Sequence, residues 1–219
     1  MRIAACVPGH APHVGFLQDC IDTLNRQTRP PDVISISLSS WSAPYPPAYH
    51  SNIPVLLHVT SATQNAATNR NVAAAAVADN VDVLSFIDID DLSCPTRIAE
   101  VEAAVNAGAD VFVHNFTPVS RNAQLSDITE WPTPPPSIVT NPCFKMNAYW
   151  ACGYIYLSPA RDDIHNAHNS VRSICWKAIQ CPEEQRYNCY EDSEYNYRLF
   201  NAGYKFMYSP NKLSFYRTL

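Results

Sequence analysis

The sequence predicts an α/β protein with a mixed, mainly parallel central sheet and helices on both faces. Short apolar runs alternate with segments of helical periodicity through the first half of the 219 residues. Several of these runs are continuously apolar, as is typical of strands that are covered on both faces. Three of them are followed by polar or glycine-containing segments, which a parallel sheet gathers along one edge. We therefore expect a binding site at that edge.

Each element of the first half follows from a residue pattern. Strands are predicted at the apolar runs 2–7, Val33–Leu38, Val55–Val59, Val81–Ile87 and Val111–Val113. Helices are predicted where apolar residues recur at helical spacing or alanine dominates, at Gly15–Gln27, Ala62–Ala78 and Cys94–Val105. Pro30 and Pro31 end the first helix, and Gly108 provides a left-handed end for the third.

The second half is less regular. Residues 117–150 contain several prolines and little periodicity, which makes the segment too long for a simple connection. A helix is predicted near Asn169–Ile179, and a last helix from Asp192 to Asn201 leads into a strand at Tyr204–Tyr208. Because no internal repeat or clean linker is present, residues 1–219 are predicted to form a single domain.

Composition restricts the class of protein. Hydrophobic residues make up 47% and charged residues 16%, which is ordinary for a globular chain. A net charge of -5 with scattered lysines and arginines argues against nucleic acid as a partner. The absence of an 18-residue apolar window predicts no transmembrane segment, and together with the lack of a signal peptide it predicts a cytoplasmic location. The eight cysteines include no C-x-x-C pair and are interpreted as reduced, mostly buried thiols.

The strongest functional signal is the acidic cluster after the strand that ends at Ile87. Asp88 and Asp90 stand two residues apart, so on an extended backbone their side chains point the same way, and Asp91 can turn back towards them. Adjacent carboxylates repel each other unless a cation or a ligand's donors lie between them. The cluster therefore predicts a site for a divalent metal or a phosphate group. A solvated turn, in which Asp91 or Ser93 caps the next helix, is the alternative.

Four motifs in this order resemble the GT-A fold, a Rossmann-like fold, of family 2 glycosyltransferases. The motifs are Val7-Pro8, Arg70-Asn71, Asp88-Ile89-Asp90-Asp91, and Glu191-Asp192 followed by 201–205, Asn-Ala-Gly-Tyr-Lys. The resemblance covers nearly the whole chain and extends to the N-terminal glycosyltransferase domain of a multidomain chlorella-virus protein. It implies an excised domain, other domains in the same polypeptide, and the cytoplasm of an infected host cell as its location, where it would act in viral glycan synthesis.

The resemblance also implies a donor site and a metal site. The nucleotide-sugar-binding half is residues 1–116, with a UDP-sugar as the expected donor. The implied donor-binding residues are Pro8, Gly9, His10, Ser39, Arg70, Asp88, Ile89 and Asp90. Arg70 could reach the diphosphate or the donor sugar; a surface arginine that pairs with an acid is the alternative. Asp90, helped by Asp88 and Asp91, would hold Mn²⁺ or Mg²⁺. The family has an aspartate after the second strand where this chain has only serines, Ser39 among them, which leaves the preference for the base open.

The acceptor and catalytic half is residues 117–219, and a glycan is the implied acceptor. Transfer with inversion requires a base for the acceptor's proton. By resemblance this base is Asp192, and Glu191 supports it or binds the acceptor. A purely structural role at the start of a helix is the alternative for both carboxylates. Aromatic residues of this half either form an acceptor pocket or belong to the core: Trp131, Tyr149, Trp150 and Tyr154.

Two other functions fit parts of the sequence. Phosphoryl-transfer enzymes of the haloacid dehalogenase type also place Asp-x-Asp after a strand, but they have Thr or Val where this chain has Leu92. A sugar-nucleotide-binding module without turnover is the second alternative. The spacing of His165 and His168 is compatible with a metal on a helix, but we interpret this segment as a polar surface turn.

Overall fold

The computed structural model describes residues 1–128, 131, 146–151, 154–159, 164–184 and 191–218, with the backbone alone at 146–151, 154–159 and 164–167. The helices are α1 Leu17–Asn25, α2 Ala66–Ala75, α3 Arg97–Asn106, α4 Ser173–Ala178 and α5 Glu191–Asn201. The strands are β1 Ile3–His10, β2 Val33–Ser39, β3 Val55–Val59, β4 Val83–Phe86, β5 Leu92–Ser93, β6 Val111–Ser120, β7 Met146–Ala151, β8 Tyr154–Pro159, β9 Ile164–Arg172 and β10 Phe206–Thr218. Short 3-10 helices lie at Ala11–Phe16 and Leu125–Asp127.

Eight of these strands form one mixed, mainly parallel sheet in the order β3-β2-β1-β4-β9-β6-β10-β5. The first four pair in parallel, and so do β6 and β10. The strand β9 runs antiparallel to both of its neighbours, and β5 runs antiparallel to β10. The strands β7 and β8 form a separate antiparallel pair. This arrangement confirms the predicted Rossmann-like GT-A fold.

Helices cover both faces of the sheet because successive side chains of a strand point to opposite faces. In β1, Ala4 and Cys6 face a core that also contains buried residues of α2, α4 and α5. Ala5 and Val7, on the other face, pack with the apolar side of α1, and Ile3 packs with α3. The continuous apolar run in β1 is therefore buried from both sides, as predicted.

The helix α2 is shorter than its predicted range. It begins at Ala66 rather than Ala62, because Asn65 is extended and its side chain accepts a hydrogen bond from the backbone N–H of Thr68 at 2.8 Å. Residues 62–64 consequently lie in a loop, where Thr63 and Gln64 line the cavity described below. Gly108 adopts φ 96°, which confirms the left-handed end predicted after α3.

The second half departs further from the predicted elements. The helix predicted near Asn169–Ile179 is confirmed at Ser173–Ala178, but it begins later than predicted because β9 continues to Arg172. The last strand runs from Phe206 to Thr218, with irregular pairing around Ser209 and Lys212, and is much longer than predicted. Residues 117–120 prolong β6, so part of the segment predicted as irregular belongs to the sheet.

Other predictions concern cysteines and the membrane. Five described cysteines are buried and free, as predicted: Cys6, Cys20, Cys94, Cys175 and Cys181. Burial raises the pKa of the Cys20 thiol to about 12, which makes it a poor nucleophile. In the part of the chain that the structure describes, no helix is long and apolar enough to cross a membrane. The single-domain organisation stays a prediction.

Candidate active site

A cavity of about 410 Å³ opens at the carboxyl ends of the central strands. It is lined by six of the predicted donor-site residues: Pro8, Gly9, His10, Asp88, Ile89 and Asp90. His13, the start of α2 and Tyr216 of β10 complete much of its wall. The topology explains this convergence, because β1 and β4 are parallel neighbours and the segments after them leave the sheet at the same edge.

Gly9 allows residues 88–91, which we call the acidic loop, to pack closely against β1. A Cβ atom built on Gly9 would lie 2.9 Å from Cδ1 of Ile89 and 3.4 Å from Cδ1 of Leu38. Ile89 is 2% exposed, and its backbone N–H donates to the carbonyl of Pro8 at 3.2 Å. Gly9 is one of the implied donor-binding residues, and its close neighbour in this structure is Ile89. This packing helps to set the position of Asp88 and Asp90 on either side of Ile89.

Ser39 lies behind His10 rather than on the cavity wall. Its hydroxyl is 3.2 Å from Nδ1 of His10 and accepts a hydrogen bond from Nδ2 of Asn69 at 3.0 Å. The amide oxygen of Asn69 accepts in turn from the hydroxyl of Ser37 at 2.9 Å. The serines at the end of β2 therefore hold His10 and Asn69, both of which line the cavity.

Arg70 connects the acidic loop to α5. The guanidinium contacts Asp88 at 3.1 Å and Glu191 at 2.7 Å, and its side chain is only 6% exposed. Arg70 is thus paired with two carboxylates, which agrees with the alternative left open by the sequence, except that the side chain is buried and does not lie on the surface. Burial raises the pKa of Glu191, although the charge of Arg70 acts to lower it. Burial alone would lower the pKa of Arg70, but the carboxylates of Asp88 and Glu191 raise it above its usual value.

Asp90 is the carboxylate of the acidic loop that is best placed to accept a cation. It lines the cavity, retains 27% exposure and lies 3.4 Å from Nδ1 of His13. Burial and the nearby carboxylates of Asp88 and Asp91 raise its pKa to about 6. A bound cation would relieve this repulsion, and the oxygen donors suit Mn²⁺ or Mg²⁺. Among the described residues, however, no group of three His, Cys, Asp or Glu side chains could hold a metal, so the rest of a coordination shell would come from a ligand and water.

Asp91 lies behind the cavity wall. Its side chain is 1% exposed, accepts a hydrogen bond from Nε2 of His168 at 2.7 Å, and lies 3.4 Å from the backbone nitrogen of Arg217. The interpretation of the His168 segment as a polar surface turn is wrong, because His168 is fully buried on β9. The start of this segment, residues 162–163, lies outside the described part of the chain. The metal role of Asp91 stays a prediction, but its position differs from that of Asp90.

Arg217 holds the same loop from the end of β10. Its side chain is 1% exposed, pairs with Asp19 of α1 at 3.0 Å and donates to the backbone carbonyl of Asp90. The guanidinium also lies 4.4 Å from the ring centre of Phe16. We refer to Asp91, His168, Arg217 and Asp19 as the bracket; the first three are buried and Asp19 is half-buried. It anchors the acidic loop to β9, β10 and α1.

The predicted catalytic carboxylates lie at the start of α5, where the helix dipole favours negative charge. Glu191 contacts Arg70, and the Asp192 carboxylate contributes to the raised pKa values of Arg70, Glu191 and Tyr216. Asp192 therefore lies near the acidic loop, although it does not line the cavity. Its Oδ1 accepts a hydrogen bond from the backbone N–H of Ser193 at 2.7 Å.

Asn71, the other half of the Arg-Asn pair, faces a different partner. Its Nδ2 donates to Glu183 at 2.7 Å and to the carbonyl of Cys181 at 2.8 Å, and its Oδ1 accepts from the Cys181 N–H at 3.0 Å. Asn65, which caps this helix, and Thr68 within it also bond to Glu183. The helix α2 thus presents Arg70 to the acidic loop and Asn71 to the segment that precedes α5.

The sequence did not indicate several residues that complete the site. Tyr216 lines the cavity and packs edge-on against His168 and Phe116, with ring centres 5.9 and 5.6 Å apart. Burial, together with the nearby carboxylates, raises the pKa of Tyr216 and keeps its hydroxyl protonated. Trp131 is partly buried and packs edge-on against Phe215 of a small core cluster, so its role as an acceptor-site residue stays a prediction. The side chains of Tyr149, Trp150 and Tyr154 lie outside the described residues.

Comparisons with known proteins concern the fold. No protein-family model and no curated protein matches the sequence. The structure of S. aureus TarS residues 1–349 in complex with UDP is similar at a TM-score of 0.64 and 13% identity, over 100% of this chain and 61% of that chain. The corresponding complex with UDP-GlcNAc gives a TM-score of 0.65 at 12% identity, over 100% and 59%. The chain therefore spans about three fifths of the TarS structures that it matches, and what it shares with them is the fold.

Proposed function

We propose that the chain is a metal-dependent glycosyltransferase that moves a sugar, with inversion, from a UDP-sugar to a hydroxyl group of a glycan. The observation that carries the proposal is the Arg70 bridge, in which one buried guanidinium joins Asp88 of the cavity to Glu191 of α5. The bridge brings the predicted donor site and the predicted catalytic carboxylates together. The similarity in fold to TarS, whose structures contain UDP and UDP-GlcNAc, supports the choice of donor.

The cavity is the proposed donor site. Its volume of about 410 Å³ lies within the usual range for small-molecule pockets. In this proposal Pro8, Gly9 and His10 contact the base, with Ser39 holding His10, and Asp88 contacts the ribose or the sugar. Arg70 acts mainly by holding Asp88 and Glu191 in place, since its side chain is already paired with both.

Asp90 is the proposed metal ligand, with Asp88 beside it. When bound, Mn²⁺ or Mg²⁺ would neutralise the charge that develops on the diphosphate as the sugar leaves. The raised pKa of Asp90 supports this role, because burial and the neighbouring carboxylates of Asp88 and Asp91 disfavour its ionised form, which a cation would stabilise. Asp91 is already engaged by His168, so we assign it to the support of the loop.

Asp192 is the proposed general base. As the acceptor oxygen attacks the anomeric carbon, its proton moves to the Asp192 carboxylate and the nucleoside diphosphate leaves from the opposite side. Glu191 is less suited to this step because Arg70 holds its carboxylate. Glu191 would instead position the start of α5 against the donor site.

The same proposal includes the transfer of a hexose, which makes the enzyme a hexosyltransferase. It also includes a glycan as the acceptor and further domains in the same polypeptide. The cytoplasmic location and the viral context also stay proposals. None of them is needed for the chemistry of the site, which depends on the cavity, the acidic loop and α5.

Calorimetric titration with UDP and Mn²⁺ tests the donor and metal sites. We expect UDP to bind at least about tenfold more weakly after chelation of the metal or in Asp90→Ala. The matched control is Asp79→Ala, which removes an 86% exposed carboxylate from the surface. Equal UDP affinity with and without metal would contradict the metal role.

Product analysis with a set of UDP-sugars and glycan acceptors tests the transfer step. Asp192→Asn should abolish transfer while UDP binding persists. Unchanged transfer in this variant would show that Asp192 is not the base. Donor binding without transfer to any acceptor would favour a binding module, and a covalent phosphate on Asp88 would favour the phosphoryl-transfer alternative.

A further inference from the structure

The loop between β2 and β3 carries a proline- and tyrosine-rich sequence that the proposed transfer reaction does not use. Residues 41–50 read Trp-Ser-Ala-Pro-Tyr-Pro-Pro-Ala-Tyr-His and contain no helix or strand. Within this range all residues except Trp41 and Pro47 are exposed, and Tyr45 and Tyr49 retain 79% and 36% of their surface. Exposed proline-rich segments are recognised by domains whose binding grooves are lined by aromatic side chains.

The covalent structure of the loop favours an extended backbone. Proline fixes its own φ near -65°, and it also restricts the preceding residue to extended conformations. Prolines at positions 44, 46 and 47 place this restriction on residues 43–47. The backbone nevertheless bends at residues 43–45, whereas residues 46–49 show no bend or turn. In a polyproline II helix, residues three apart lie on the same edge. Pro46 and Tyr49 are therefore placed to face one partner together.

Both ends of the loop are fixed to the fold. The backbone N–H of Trp41 donates to the carbonyl of Thr60 at 3.0 Å, and its indole N–H donates to the carbonyl of Tyr45 at 2.9 Å. At the other end, the amide of Gln18 makes two hydrogen bonds to the backbone of His50, at 2.9 and 3.0 Å. A partner that binds the residues between these anchors has less chain entropy to overcome than with a free peptide.

We propose that Pro46-Pro47-Ala48-Tyr49 is a docking segment for a protein domain of the WW type. Such domains bind polyproline II segments in grooves lined by aromatic side chains. In this complex the two proline rings would stack in the aromatic groove, and the Tyr49 ring would enter a neighbouring pocket. The inference does not depend on the proposed sugar transfer.

The sequence of the loop also distinguishes between proline-binding modules. Pro44 and Pro47 match the P-x-x-P spacing that SH3 domains bind. Ligands of SH3 domains generally add a basic residue that pairs with acidic side chains of the domain, and residues 40–54 contain no lysine or arginine. A tyrosine three positions after the first proline of the pair instead fits the WW type.

Titration of the whole chain with a panel of purified WW domains that bind Pro-Pro-x-Tyr peptides tests the proposal. We expect saturable binding by at least one domain, weakened about tenfold or more in Tyr49→Ala and in Pro46→Ala. The matched control is Tyr45→Ala, which removes the more exposed tyrosine of the same loop and should change the affinity less than about twofold. Thermal unfolding of every variant checks that each is folded, and the two variants of the segment provide independent tests.

Three results would overturn the proposal. The first is that no WW domain of the panel binds the wild-type chain. The second is that binding occurs but is unaffected by both Tyr49→Ala and Pro46→Ala. The third is that a purified SH3 domain binds in their place, with an affinity that depends on Pro44 and Pro47 rather than on Tyr49.

Discussion

Asp90 lies on the wall of the cavity, whereas its neighbour Asp91 lies buried behind it. Asp90 retains 27% exposure and lies 3.4 Å from Nδ1 of His13. Asp91 is 1% exposed and is bound by His168 at 2.7 Å. These identical side chains one residue apart have different surroundings, because the loop turns Asp90 towards the cavity and Asp91 towards His168 in the bracket. Asp90 on the cavity wall is therefore accessible to a ligand, whereas the carboxylate of Asp91 is held by hydrogen bonds inside the bracket.

The largest effect is expected from breaking the bracket at Arg217. Arg217→Met preserves much of the side-chain volume but removes the buried charge that pairs with Asp19 and bonds to the loop carbonyl of Asp90. We expect the free energy of unfolding, measured by urea denaturation, to fall by about 3–5 kcal/mol. The matched control is Lys177→Met, which breaks the exposed pair with Asp79 and should cost less than about 1 kcal/mol. Similar losses in both variants would show that the bracket does not stabilise the fold.

Substitution of the two neighbouring aspartates should separate binding from stability. Asp90→Asn should weaken the binding of UDP with Mn²⁺ by at least about tenfold. Its free energy of unfolding should stay unchanged or rise, because burial and adjacent carboxylates disfavour the ionised Asp90 side chain. Asp91→Asn should instead lower the free energy of unfolding by about 1–3 kcal/mol and change UDP affinity less than about threefold. Equal loss of UDP affinity in both variants would restore Asp91 as a metal ligand.

A double-mutant cycle with Asp91→Asn and His168→Gln measures the pair inside the bracket. The two side chains meet at 2.7 Å in a fully buried setting, so we expect a coupling energy of about 1–2 kcal/mol in urea denaturation. Asp91 also lies 3.4 Å from the backbone nitrogen of Arg217, and the cycle separates this contact from the His168 interaction. Additive losses would mean that His168 and Asp91 stabilise the fold independently of each other.

The central strands were predictable because their apolar runs are continuous, but β9 was not. It occupies the centre of the sheet while carrying polar residues, which are satisfied by distant partners. Ser170 donates to the hydroxyl of Ser85 at 2.9 Å, and Asn169 donates to Asn196 at the same distance. A polar central strand of this kind does not produce the apolar signal that identifies strands in a sequence.

The carboxylates of the site were predictable as local motifs, whereas their partners were not. Glu191 lies 121 residues from Arg70, and His168 lies 77 residues from Asp91. Tyr216 reaches the cavity because β10 continues past an irregularity and pairs with the end of β6. These contacts depend on tertiary structure, so the sequence indicated Arg70 as a functional candidate but could not identify Asp88 and Glu191 as its partners.

The smallest expected effect concerns the packing of Gly9 against Ile89, which connects β1 to the cavity wall. Gly9→Ala brings a Cβ atom within 2.9 Å of Cδ1 of Ile89, at the end of a side chain that can shift. We expect a loss of about 1 kcal/mol in unfolding free energy and UDP binding weakened severalfold, since Ile89 stands between Asp88 and Asp90. Adding Ile89→Val removes Cδ1 and should recover UDP affinity in calorimetric titration. Gly15→Ala, which would meet nothing within 4 Å, is the matched control. If the Gly9 variant binds UDP normally, the position of the acidic loop is set by the bracket rather than by β1.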